Sequence, residues 1–137
     1  MIVRTLGELK GSKVDVGGER WRSVRFLTLS DNVGFTVTST VLEAGHELII
    51  EYKNHIEANY CIDGEGEVTD LATDTVHQIR PGTLYALDKN ERHKLSVFKS
   101  MHLICVFAPA LLGTETPEPD GSYRNALDLS AAVAPRD

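Results

Sequence analysis

Among the residues of this chain whose types can hold a metal ion, Glu57, Tyr85 and His93 stand out by their surroundings. Glu57 stands in NHIEANYC, where an acidic residue leads straight into an apolar run. Burying such a carboxylate is costly unless it is paired or coordinates a metal. Tyr85 lies between Gly82 and Leu87, where a two-residue period puts Thr83, Tyr85 and Leu87 on one face. His93 follows in NERHK. Taken singly, each has a plainer reading: Tyr85 as a strand residue in the core, His93 as a solvated loop histidine. Taken together, a carboxylate, a phenolate oxygen and an imidazole form a mixed set that suits Fe(II), Mn(II) or Zn(II). Three protein ligands also leave positions open for a substrate.

Ligands this far apart in sequence converge only if separate strands carry them. From Trp21 to Phe107 the chain runs in short stretches rich in Val, Ile, Leu, Thr, Phe and Tyr, broken by Gly, Asp, Asn and Pro. In Gly34 to Leu42, Phe35, Val37, Ser39 and Val41 alternate with Thr36, Thr38 and Thr40, the period that sends one set inward. Further strands are predicted at Ser23–Leu29, Glu47–Tyr52, Ala58–Ile62, Glu67–Leu71, Val76–Ile79, Gly82–Leu87, His93–Phe98 and Met101–Phe107. This many strands with short punctuated loops predict an all-β sandwich or barrel. Helix signals are confined to Leu6–Lys10 and Arg124–Ala132. Gly113–Ser122, with Pro117 and Pro119, reads as a loop, and the final AAVAPRD as a frayed end.

The 137 residues predict a single domain, 1–137, with a barrel core at about 21–108 and a C-terminal loop and tail at 109–137. A net charge of -6 without a basic run argues against nucleic acid or an anionic membrane as partner. Charges at Arg4, Glu8, Lys10 and Lys13 interrupt any signal-peptide core. The longest apolar run, Leu103 to Leu112, contains Pro109 and is about half a membrane span. A cytoplasmic protein is the expectation. Its two cysteines, Cys61 and Cys105, are too few for a disulfide scaffold and read as buried free thiols.

The glycine spacing resembles the cupin pattern. The first cupin motif (Gly, five residues, His-x-His, then Glu, then Gly) fits at Gly45, with Glu51 and Lys53 in the histidine places, then Glu57 and Gly64. The second fits at Gly82, with Asp88 and Asn90 at the turn and His93 at the ligand place. Glycines permit tight turns, and ligands from two strands must point into the barrel together. More specifically, YKNHIEANYCIDGEGEV (52–68), RPGTLYALDKNERH (80–93) and MHLICVFAP (101–109), in order and closely spaced, resemble the L-ectoine synthases, a cupin subfamily without the paired histidines. The start, MIVRTLGELKGS, and the Trp21 region are similar to that family too.

That resemblance implies a cupin double-stranded β-helix, or jelly-roll barrel, with short terminal helical segments. It implies ring closure of N4-acetyl-L-2,4-diaminobutyrate to ectoine with loss of water, in a cytoplasmic homodimer. It implies metal ligands Glu57, Tyr85 and His93, with Fe(II) favoured over Zn or Mn, and a small amino-acid substrate. It further implies substrate contacts from Trp21, Arg25, Thr40, Tyr52, Cys105, Phe107 and Glu115, with Tyr85, Glu115 and Tyr52 as proton-handling groups. Two stretches depart from the family's pattern. The loop after the last strand reads Glu115, Thr116, Pro117, Glu118 where the family usually has Glu, one residue, then His-Asp, and Leu48-Ile49-Ile50 is unusually aliphatic. Proline transfers no proton and fixes its own φ, so the loop's chemistry and its closed conformation are open questions. Two other functions stay open on that ground: a related cyclase or hydrolase for another small acylated amino acid, and a non-catalytic metabolite-binding cupin.

Overall fold

The computed structural model describes residues 1–126. Its N-terminal helix, α1 (Leu6–Leu9), is the first of the two predicted helical segments. It starts where the sequence provides a capping box: Glu8 N–H donates to Thr5 Oγ1 and Thr5 N–H to Glu8 Oε2, both at 3.2 Å. The second, Arg124–Ala132, and the terminal AAVAPRD lie outside the described residues from 127 onward. Apart from a single 3-10 turn at Leu29–Asp31, the remaining regular structure among the described residues is strand: β1 (Asp15–Gly18), β2 (Trp21–Arg25), β3 (Thr36–Leu42), β4 (Glu47–Ile50), β5 (Ile56–Asp70), β6 (Thr75–Ile79), β7 (Leu84–Leu87) and β8 (His93–Ala108). No helix among the described residues is long and apolar enough to cross a membrane.

Every strand pair is antiparallel, in the order β1-β2-β3-β8-β5-β6, with β4 also on β8 and β7 also on β5. The long pair β5 and β8 is the spine. Its outer half joins Ile56–Cys61 to Leu103–Ala108, and its other half joins Gly66–Asp70 to His93–Val97. Sequence reading divides each of these strands in two; the structure keeps each whole and bends β5 by register shifts between Cys61 and Gly66. Glycine makes the bend feasible: Gly64 has φ +90, and a Cβ there would meet Ser100 O and stand 2.6 Å from Met101 Cα. Strand β1 lies ahead of the predicted strands, which begin at Ser23; Gly17 and Gly18 weaken its strand propensity, and its backbone pairing to β2 holds it.

The period of two decides what the barrel contains. On β3 the threonines turn inward, Thr36 and Thr38 being fully buried, while Val41 faces out and is exposed. Buried hydroxyls need partners. Thr36 Oγ1 accepts from Leu111 N–H at 2.8 Å, and Thr38 and Thr40 bond each other at 2.8 Å. The apolar core lies deeper, around Cys61, Ile79, Leu95, Val97, Met101 and Leu103.

Gly64→Ala tests the bend directly. It should destabilise the protein by more than about 2 kcal/mol, read as a lower urea midpoint. An unchanged midpoint would mean that the β5 bulge adapts freely.

Candidate active site

Strand register lines up the inward side chains in rows. Glu57 on β5 lies opposite Phe107 on β8 and Leu87 on β7; the next row holds Asn59, Cys105, Thr38 and Tyr85; the next holds Cys61, Leu103, Thr40 and Ser23. A cavity of about 520 Å³ opens over these rows, lined in part by Trp21, Thr40, Tyr52, Glu57, Tyr85, Cys105 and Phe107. That size suits a small metabolite.

Glu57 sets the electrostatics. It is 5% exposed, and no Lys or Arg lines the cavity. Its Oε1 accepts from Asn59 Nδ2 at 2.8 Å, and the Tyr52 hydroxyl also bonds it. These bonds do not offset desolvation, and burial pushes the Glu57 carboxyl up to about 8. Burial also raises the Tyr85 phenol, with the Glu57 charge adding to it. His93 is 1% exposed, and its Nδ1 lies 2.9 Å from the Glu91 carbonyl, which leaves Nε2 for a ligand. Burial holds this ring below the usual imidazole range.

Tyr52 stands between two of them, bonding Glu57 while its ring lies 6.1 Å from that of His93. The turn before His93 is pinned to the same place. Asn90, at φ 57, donates from Nδ2 to the carbonyls of Tyr52 (2.7 Å) and His55 (3.1 Å). Among the described residues no three His, Cys, Asp or Glu converge, so the set reaches three only by counting the Tyr85 phenol. The residues present fit a divalent ion: a buried carboxylate without a cation, a phenol beside it, and an imidazole with its tautomer fixed.

The remaining predicted residues divide into wall and support. Trp21, Thr40, Cys105 and Phe107 are wall. Burial and the Glu57 charge push the Cys105 thiol far up, so it is a neutral packing group. Arg25 and Glu115 lie behind the lining. Arg25, fully buried, donates to Ser23 Oγ (3.1 Å), the Gly113 carbonyl (3.2 Å) and the Tyr123 hydroxyl (3.4 Å). Glu115 accepts from Leu112 N–H (2.6 Å) and Gly113 N–H (2.7 Å), engaging both its oxygens. Both therefore hold the loop that follows β8.

That loop, carrying Thr116, Pro117, Glu118 and Pro119, forms the cavity's roof. Gly121 rests on the backbone of Ile49 and Ile50, Lys53 pairs with Asp120 at 3.0 Å, and Asn54 donates to the Tyr123 carbonyl at 2.9 Å. Pro117 is thus compatible with closure. Three contributors were not legible in the sequence. Asn59 repeats the inward position of Glu57 two residues on, but its residue type alone does not mark it as part of a site. Tyr123 stacks on Tyr52 at 5.6 Å from a region without periodicity. His55 is buried edge-on to Phe107 and Tyr123 with neither ring nitrogen partnered.

The antiparallel barrel around this interior is the cupin fold. An RmlC-like cupin from Shewanella frigidimarina shares this fold with a TM-score of 0.59 at 17% identity, over 70% of this chain and 82% of that one. A sequence profile for ectoine synthase matches residues 1–127. L-ectoine synthase of Oceanobacillus iheyensis is 49% identical over 123 residues, covering 90% of this chain and 96% of the relative. That of Hahella chejuensis is 49% identical over 123 residues, covering 90% and 93%. The crystal structure of ectoine synthase from P. lautus superposes with a TM-score of 0.79 at 43% identity, over 84% of this chain and 83% of that one. The chain belongs to the ectoine synthase family and is a lyase.

The buried carboxylate gives metal-free protein a pH signature. Folded Glu57 protonates near 8 and its ordinary value is 4.5, so between them the fold keeps a proton that the unfolded chain has lost. Stability therefore falls as pH rises from 4.5 to 8, by up to roughly 1.4 kcal/mol per unit. Thermal melts of chelator-treated protein should show that slope, and Glu57→Gln should flatten it. Equal slopes would assign the effect to another group.

Proposed function

We propose that this enzyme closes the ring of N4-acetyl-L-2,4-diaminobutyrate to ectoine with loss of water, using one divalent metal ion held by Glu57, Tyr85 and His93. The observation that carries the proposal is the buried, cation-free Glu57 carboxylate at the base of a metabolite-sized cavity. Fe(II) is the preferred ion, with Zn or Mn as other fits to a mixed O/N set. Bound there, a divalent ion supplies Lewis-acid polarisation of the amide oxygen.

The chain's own groups do the rest. Trp21, Tyr52 and Phe107 give the cavity aromatic walls, and the loop with Pro117 roofs it. Keeping water out matters because hydrolysis is the reverse reaction. The walls fold the substrate so that its α-amine approaches the acetyl carbon, a proximity effect of up to roughly 7–11 kcal/mol. The amine must be neutral to attack. Tyr85, as the phenolate that a divalent ion would favour, would take the amine's proton, and the Tyr52 hydroxyl, beside Glu57, would donate one to the departing oxygen. Ser23 and Thr40, hydrogen-bonded at 3.2 Å, offer hydroxyls in the wall to the substrate carboxylate. Arg25 and Glu115 act as positioning residues by fixing the roof.

The enzyme is proposed to work in the cytoplasm as a homodimer. The exposed outer faces of Tyr60, Leu84 and Val106, on neighbouring strands, support self-association.

Anaerobic incubation with Fe(II) and N4-acetyl-L-2,4-diaminobutyrate should yield ectoine. Glu57→Ala and His93→Ala should each lose metal and activity together, by more than the roughly 10–100-fold typical of outer-shell partners. Cys105→Ser should keep its metal. Full metal occupancy without ectoine would refute the reaction, and full iron in both ligand variants would refute the site.

A further inference from the structure

A second cavity, of about 530 Å³, opens through the side of the barrel. It exists because β6 and β7 both pair with β5 and leave a gap: β6 takes Gly66–Asp70, and β7 takes Glu57–Tyr60. Asp70, His77 and Glu91 stand in its walls, and its inner end reaches Tyr85, Leu87 and His93. Tyr85 lines both cavities, whereas His93 lines only this one. Tyr85, lining both, therefore joins the side cavity to the substrate's, and the side cavity is bordered by the His93 ring.

Register puts the polar groups on one face with it. Asp70 is the cross-strand partner of His93, and His77 is that of Val68 in the neighbouring inward row. The charges of Asp70 and Glu91 both reach the His93 ring. The other approach crosses the substrate cavity, beneath the roof held by Lys53 and Asp120; its walls carry Glu19, His46 and Glu118 besides the aromatic residues, and it reaches Glu57 and Tyr85 but not His93. A hydrated dication such as Fe(II) exchanges its waters readily for oxygen and nitrogen donors. The side cavity has them near its mouth, with His77 exposed on the edge strand β6. Among the described residues no three such side chains converge, so these residues form no resident site.

We propose that the side cavity is the route by which the metal ion reaches its ligands, with Asp70, His77 and Glu91 as transient donors and His93 as the first permanent one. The route presupposes the metal site at Glu57, Tyr85 and His93.

Metal-free protein mixed anaerobically with Fe(II) gives two readouts, the rate of uptake followed by intrinsic fluorescence and the final metal content. The double variant Asp70→Asn/His77→Gln should take up iron roughly tenfold more slowly or worse, the scale on which charges lining a cleft alter on-rates, yet reach the wild-type content. Lys53→Ala, which loosens the roof, should not slow it. Wild-type rates and full content in the double variant would overturn the route while leaving the metal site standing. Wild-type protein that takes up no iron would overturn both. Should the double variant fail to fold, His77→Gln alone should still slow uptake, and an unchanged rate there overturns the route equally.

Discussion

The arrangement around the cavity follows from one cost, that of holding the Glu57 carboxylate in the barrel with no cation in the walls. A buried carboxylate either neutralises itself or finds a positive partner. Here Asn59 and Tyr52 supply hydrogen bonds but no charge, so the site without an ion favours the protonated acid. The surroundings deepen the cost. Phe107, Tyr52 and Tyr123 form an aromatic cluster with ring centroids 5.3 to 5.6 Å apart, keeping the local dielectric low. On the proposed reading a divalent ion would offset this cost, and the dryness that makes the carboxylate expensive also protects a dehydrating ring closure from the reverse hydrolysis.

The barrel can hold this site because β5 and β8 are long and bent. Their outer halves carry Glu57, Asn59, Cys105 and Phe107, and their other halves bring His93 onto the same interior. Asn90 then sews the turn before His93 to the backbone at Tyr52 and His55. The support continues outward: Arg25 and Glu115, both buried, hold the segment after β8 so that Tyr123 stacks on Tyr52 and the loop with Pro117 covers the mouth. Substrate walls, the side chains of Glu57, Tyr85 and His93, and the roof thus share one interior, and among the described residues the gap between β6 and β7 gives it a second opening.

Much of this was legible in the residues themselves. The all-β class followed from period-two runs, the inward set on β7 from the same period, and Glu57 from the cost of an acid leading an apolar run. What stayed hidden depends on contacts distant in sequence. No local pattern says that Gly64 and Gly66 bend one strand instead of ending two, because that depends on how closely β8 approaches. Arg25 and Glu115, matched by resemblance to substrate-lining positions, sit behind the wall with their polar atoms engaged by protein, which the pattern of residue types cannot reveal. Pro117 looked disruptive in the sequence, yet the roof is fastened by Gly121, Asn54 and the pair Lys53 and Asp120 on either side of it.

That Glu57 is buried to share an ion with Tyr85 and His93 is most directly tested by anomalous diffraction from crystals of iron-loaded protein at the iron edge. The account predicts one peak inside the barrel, about 2.0–2.2 Å from a Glu57 carboxylate oxygen, the Tyr85 phenolate oxygen and His93 Nε2. A peak bound elsewhere, or one that leaves Glu57 unliganded in the cavity wall, would contradict it.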